Sequence, residues 1–196
     1  RCHHAAAMDE AQVRLEVGDV VLRPWRPDDA SGLQAAGQDA DLGANLLTVH
    51  ATGGPKMLER ALTRASSEGT GLTILAVTVL TSLDSEDLRH IGVAATTAEQ
   101  VERLAKLAWS VGIRGFVSSP SDAQRLRTVL GHDAYLVTPG IRSSAGDDDQ
   151  KRVGTPGDAI RAGASLLVVG RPIRDARDPA MAAAEFQREI RLACET

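Results

Sequence analysis

The sequence predicts an α/β fold in which five consecutive βα units build one parallel sheet, and three observations carry that prediction. From Asn45 onward, short β-branched runs alternate with amphipathic helical stretches, the rhythm of parallel βα units. The apolar runs are near-continuous rather than alternating, the pattern of strands covered on both faces. The stretches between them carry helix start and stop signals of their own.

The five expected strands are Leu46–Val49, Leu72–Val79, Gly115–Ser118, Tyr135–Thr138 and Leu166–Val169. Between the second and third, Thr96-x-x-Glu99 reads as a capping box, in which hydroxyl and carboxylate each satisfy a backbone N–H at a helix start. Val101, Leu104, Ala105 and Ala108 then recur on one helical face until Gly112 supplies a C-terminal cap. Ser119-Pro120 and Thr155-Pro156 each place a cap residue before a first-turn proline, and Gly131 and Gly163 end those helices. Asp178-Pro179 opens the last helix, with Met181, Ala182, Phe186 and Ile190 as its expected buried stripe.

Residues 9–44 break this rhythm. Val13-Arg-Leu-Glu-Val17 and Val20-Val-Leu-Arg23 flank Gly18-Asp19 and read as a hairpin, after which Pro24, Pro27 and Asp28-Asp29 start a short helix rich in alanine and glycine. A shift in composition near Gly43 marks the junction with the βα region, residues 45–196. The first eight residues, Arg1 to Met8, have no apolar core, so they are no signal peptide and read as a leader or tag.

With 196 residues, 43% of them hydrophobic, the chain can bury the core of one domain or of one plus an appendage. Its longest apolar run, Leu72 to Leu80, is interrupted by two threonines and falls far short of the roughly 20 residues of a membrane helix. No membrane partner is expected. A net charge of -4 with both signs interspersed excludes a nucleic-acid surface, which needs clustered Lys and Arg. Any anion site must therefore be local. Cys2 and Cys194 lie at opposite chain ends without metal-ligand spacing, so neither a zinc site nor a disulfide is implied and the expected setting is cytoplasmic. No metal and no organic cofactor is expected.

In parallel βα architectures the loops leaving the strand C-termini build the ligand site. Here those loops read His50-Ala-Thr-Gly-Gly54, Thr81-Ser82, Pro139-Gly-Ile-Arg142 and Gly170-Arg-Pro172. Gly170-Arg171 offers a backbone that a ligand can approach closely and a guanidinium that can fork onto phosphate oxygens. The same pair is also compatible with an ordinary surface turn. His50 reads as a hydrogen-bonded structural residue ahead of a catalyst, and Asp147-Asp148-Asp149 as a solvated charge run.

Read together and in order, Val49-His50-Ala51 with Gly53-Gly54, Ala76-Val-Thr-Val-Leu-Thr-Ser82, Val137-Thr-Pro-Gly-Ile-Arg142, Gln150-Lys-Arg-Val153 and Val169-Gly-Arg-Pro-Ile173 resemble orotidine 5'-monophosphate decarboxylase over residues 45–196. The resemblance implies a partial TIM-type (β/α) barrel. It also implies that Gly170 and Arg171 hold a 5'-phosphate, that Gln150 bridges phosphate and pyrimidine, and that Arg142 orders the loop closing on the phosphate. Thr81 and Ser82 would lie near the base and Pro139 would wall the pocket, so the implied partner is a nucleotide monophosphate of the uridine or orotidine type.

What the resemblance does not find is the catalytic array. The family places a lysine, then an Asp-x-Lys-x-x-Asp run, just upstream of the segment matching Asn45, to stabilise and protonate a carbanion at C6 of the pyrimidine. That place holds Gln34-Ala-Ala-Gly-Gln-Asp-Ala-Asp-Leu-Gly-Ala44, and the chain's three lysines are Lys56, Lys106 and Lys151. No catalytic residue is assigned, and binding without efficient decarboxylation is expected. Val20 to Ala30 bears a second, shorter resemblance, to the opening strand and helix of acetyltransferases related to histone acetyltransferases. Their Gln/Arg-x-x-Gly-x-Gly/Ala turn is unmatched, since Gln34-x-x-Gly37 runs on into Gln38-Asp39.

A full barrel closes eight strands, and only five units are counted here. Residues 9–44 would then cap the open side, or two chains would pair edge to edge or swap elements into a homodimer or higher homo-oligomer. Three functions stay open: a decarboxylase by descent that binds nucleotide, a self-associating structural module, and another phosphate-sugar lyase or isomerase using the same grip.

Overall fold

The structure, a computed structural model, describes residues 44–67, 69, 71–142 and 153–195. All but the first two of these belong to the second of two units into which the chain divides, Leu46–Thr196. The expected leader, hairpin and short helix and the acetyltransferase-like run lie outside the described residues.

Five strands alternate with helices: β1 (Leu46–His50), α1 (Pro55–Ser67), β2 (Thr73–Val77), α2 (Ser85–His90), α3 (Thr97–Ser110), β3 (Gly115–Val117), α4 (Pro120–Leu130), β4 (Tyr135–Thr138), α5 (Pro156–Arg161), β5 (Leu166–Leu167), α6 (Arg171–Arg174) and α7 (Pro179–Cys194). The strands form one sheet in the order β1-β2-β3-β4-β5, and every pairing is parallel. This is the α/β fold of consecutive βα units expected from the sequence.

The register sets which residues share a face. Ala76 pairs with Phe116 and Phe116 with Leu136, and all three pack with Leu58, Val101, Leu104, Ala108 and Leu126 of the helices in the main core. Phe116 is fully buried and stacks on Trp109 with ring centroids 6.2 Å apart, a contact worth about 0.5–1.5 kcal/mol beyond the area it buries. The Arg114 guanidinium lies over the same indole, 3.9 Å from the ring centroid. A second, smaller cluster joins Ile141, Ala159 and Phe186 where α5 packs on α7.

The local signals mostly act as their chemistry requires. At α3 the Thr96 hydroxyl accepts from the Glu99 amide and the Glu99 carboxylate accepts from the Thr96 amide, closing the expected capping box. Val101, Leu104, Ala105 and Ala108 are all buried. Thr155 and Asp178 cap α5 and α7 through their side chains.

Four expectations are corrected. Strand β1 is not covered on both faces: Leu46 and Leu47 are 39% and 45% exposed, because β1 pairs on one side only, with β2, among the described residues. Strand β5 is shorter than Leu166–Val169 and half-buried, with Val168 exposed. Met181 is 61% exposed rather than part of the buried stripe of α7, whose buried residues are Phe186 and Ala193. Ser119 stands at the cap position of α4 without capping it, because its hydroxyl is taken by the Asp122 carboxylate and by Ser121.

Candidate functional site

The C-terminal ends of β2, β4 and β5 carry the residues singled out in the sequence. From β4 the chain runs directly into Pro139, Gly140, Ile141 and Arg142. Gly140 adopts φ 78°, a left-handed conformation that glycine takes without steric cost. It turns the chain so that Ile141, fully buried, enters the cluster with Ala159 of α5 and Phe186 of α7. Burial of that side chain, worth about 1.5–3 kcal/mol, pins the turn beside half-buried Pro139 and Arg142.

The loop that leaves this turn is stitched at its base. The Arg142 amide donates to the Gly154 carbonyl at 3.0 Å, and the Gly154 amide donates to the Gly140 carbonyl at 3.2 Å, so that Ile141 and Gly154 form an isolated parallel bridge. The Arg142 guanidinium also donates to the Ile141 carbonyl at 2.9 Å. Residues 143–152 lie between the two sides of this base, and Gln150, one of the site residues expected from the sequence, is outside the described residues together with Asp147, Asp148, Asp149 and Lys151.

On the neighbouring strand, Thr138 pairs with Leu167 and its carbonyl accepts from the Val168 amide at 3.0 Å. Gly170 and Arg171 therefore leave β5 beside the Pro139–Arg142 turn. Both are exposed. The Gly170 carbonyl accepts from the Ile173 and Arg174 amides, which winds α6 tightly behind Arg171. Arg174, not Arg171, forks onto Asp175 at 2.7 and 2.8 Å, and that hydrogen bonding holds the Asp175 carboxyl below its ordinary range, with Arg171 adding a smaller pull.

Thr81 and Ser82, both half-buried, follow β2, with β3 between them and β4 in the sheet. They sit in a turn closed by the Leu83 amide on the Leu80 carbonyl at 3.0 Å, ahead of α2. That helix was not read from the sequence. Its start is a capping box of two aspartates, with Asp84 accepting from the Glu86 and Asp87 amides and Asp87 accepting from the Asp84 amide, so Asp-x-x-Asp was the available signal. His50 ends β1 exposed, and its side chain makes no cap hydrogen bond to the turn that follows.

The sequence-predicted residues thus fall into two groups. Pro139, Arg142, Gly170 and Arg171 come together on adjacent strands, and Thr81 and Ser82 stand two strands away on the same edge of the sheet. Gly140 and Gly154 complete the loop base; Gly154 was not singled out, although a glycine directly before the Thr155-Pro156 cap was its signal. Among the described residues, no group of three His, Cys, Asp or Glu side chains could hold a metal ion, and no helix is long and apolar enough to cross a membrane.

The chain is similar to proteins of known class. The profile of the orotidine 5'-phosphate decarboxylase / HUMPS family matches residues 31–186. The orotidine 5'-phosphate decarboxylase of Chromohalobacter salexigens is 46% identical over 162 residues, covering 82% of this chain and 67% of the relative. That of Hydrogenovibrio crunogenus is 47% identical, over 77% of this chain and 64% of its own length, so the chain spans about two thirds of such relatives. The enzyme of Psychromonas ingrahamii is 40% identical over 90% of this chain and 86% of its own length. Among solved structures, orotidine 5'-phosphate decarboxylase from Lactobacillus acidophilus superposes with a TM-score of 0.65 at 34% identity, over 82% of this chain and 70% of that one. On these matches the chain belongs to the orotidine 5'-phosphate decarboxylase / HUMPS family.

Proposed function

We propose that this chain binds a nucleoside monophosphate of the uridine or orotidine type at the C-terminal ends of β2, β4 and β5, and that it decarboxylates orotidine 5'-monophosphate poorly or not at all. Arg171 and the Gly170 backbone take the phosphate. Gln150 bridges phosphate and pyrimidine, Arg142 orders the segment that follows it, Thr81 and Ser82 contact the pyrimidine, and Pro139 packs on it. The observation that carries the reading is the stitched loop base, Arg142 amide to Gly154 carbonyl and Gly154 amide to Gly140 carbonyl, beside the strand end that bears Arg171. A planar guanidinium can grip two phosphate oxygens at once, and charge-assisted bonds of this kind are about twice as strong as neutral ones.

The chemistry is where the reading departs from the relatives. Loss of carbon dioxide leaves an electron pair on a ring carbon, and only a cation and proton donor held beside that carbon lower the barrier. Grip on the remote phosphate helps only when it is spent at the reacting centre. Lys56 is exposed in the first turn of α1. Lys106 is exposed on α3, where it pairs with Glu102 at 2.7 Å. Lys151 belongs to the loop beside Gln150, and residues 34–44 contain no lysine.

Self-association is part of the same reading, supported by the exposed Leu46 and Leu47 on the edge strand β1; a monomer in light scattering at high concentration would refute it. The binding claim is tested by calorimetric titration with uridine 5'-monophosphate. Saturable binding that weakens at least tenfold in Arg171→Ala supports the grip, since a hydrogen bond to a charged group contributes about 1.5–3 kcal/mol. Equal binding by the variant refutes the assignment of Arg171, and no binding by the parent chain refutes the nucleotide reading.

A further inference from the structure

The register places a row of hydroxyls just beneath the candidate site. Continuing the pairings Val77 with Val117 and Val117 with Val137 by one residue sets Thr78, Ser118 and Thr138 side by side on three neighbouring strands. Side chains alternate along a strand, so all three point to the face that carries Ala76, Phe116 and Leu136, the face packed against the helices. Their exposures are 3%, 1% and 0%. Thr78 donates to the Val117 carbonyl at 3.1 Å. The hydroxyls of Ser118 and Thr138 have no hydrogen-bond partner among the described residues.

Two adjacent buried hydroxyls without partners are costly, because each has left water without replacing its hydrogen bonds. Serine and threonine hydroxyls each donate once and accept twice, and a buried water commonly satisfies such groups by bridging them. We propose that Ser118 and Thr138 bind one internal water between them, and that through it they act as positioning residues for the site above. Ser118 is followed directly by Ser119 and the start of α4, whose Pro120 packs on Gly154. Thr138 is followed directly by Pro139 and the turn to Arg142. The bridge therefore ties together the two strand ends on which the loop base rests. The positioning role builds on the nucleotide reading; the water bridge itself does not.

The test is a stability cycle read beside uridine 5'-monophosphate affinity, using Thr138→Val, Ser118→Ala, their double variant and Thr138→Ser. A shared water predicts that each of Thr138→Val and Ser118→Ala lowers Tm by about 3–10 °C, that the double variant loses little more than the worse single, and that Thr138→Ser recovers most of the loss. A rise in Tm in either single variant, or losses that add, overturns the bridge. In a parent chain that binds the nucleotide, Thr138→Val must weaken affinity several-fold at a temperature where it is fully folded, and Thr138→Ser must restore it. Unchanged affinity in Thr138→Val overturns the positioning role. A parent chain that binds no nucleotide refutes the nucleotide reading and the positioning role with it, while the Tm cycle still decides the bridge.

Discussion

Arg142 and Gly154 face each other across the base of the loop between β4 and α5, with the Arg142 amide donating to the Gly154 carbonyl at 3.0 Å. The contact depends on a close approach behind it. A Cβ added to Gly154 would lie 2.7 Å from Cβ of Pro120, a buried ring at the start of α4. Gly154→Ala must push the loop base away from α4. Overpacking of this kind costs about 1–3 kcal/mol, so Tm should fall by about 2–4 °C per kcal/mol and uridine 5'-monophosphate should bind more weakly. Thermal melts and titration of the same preparation check both, and a tight-binding Gly154→Ala would show that the loop base does not govern the site.

Arg127 provides the matching control at the other end of the sheet. Its guanidinium donates to the carbonyls of Gly131, His132 and Ala134 at 3.1, 3.0 and 2.8 Å, to the Gly163 carbonyl at 2.5 Å and to the Ser165 hydroxyl at 3.2 Å. It thereby joins the approaches to β4 and β5 at their N-terminal ends. Burial pulls its pKa below the usual arginine value, yet five acceptors around a forked donor favour the charged form. Arg127→Met should cost about 2–3 kcal/mol by stranding those acceptors, measured by denaturant unfolding. Nucleotide affinity at low temperature should not change, and a change would mean that the two ends of the sheet are coupled.

Acid should weaken the α3 cap. The Glu99 carboxyl is held below its ordinary value of 4.5, first by the Thr96 amide and then by the Thr96 hydroxyl. A depressed carboxyl pKa contributes stability that is present above the unfolded value and is lost as pH falls through the folded one. The contribution of this cap should therefore disappear as pH falls from about 5 through the carboxylate range. Melts across that range should show a shallower acid loss in Glu99→Gln than in the parent chain; identical curves would remove Glu99 from the account.

Much of the fold was legible because the deciding forces are local. The Thr96-x-x-Glu99 box, the Val101–Ala108 face and the strand Tyr135–Thr138 are set by hydrogen bonds and periodicity within a dozen residues, and they stand as read. A count of five units implied an open side, but not that Leu46 and Leu47 would be exposed, since an apolar run carries no mark of whether a second strand lies beside it. Ser119 looks like any cap in sequence, and only the nearby Asp122 and Ser121 show where its hydroxyl goes. For the site, the motifs named Pro139, Arg142, Gly170 and Arg171 and the βα rhythm set their strands in one sheet, but the register that pairs Thr138 with Leu167 was not legible.

Binding without efficient decarboxylation remains the proposal for this chain. Incubating it with orotidine 5'-monophosphate, while following both calorimetric binding and the absorbance of the orotate ring, tests the two halves in one preparation. Saturable binding is expected, with an absorbance that does not decline beyond the uncatalysed control. Steady conversion to uridine 5'-monophosphate would contradict it, and would require a cation at C6 other than Lys56 or Lys106.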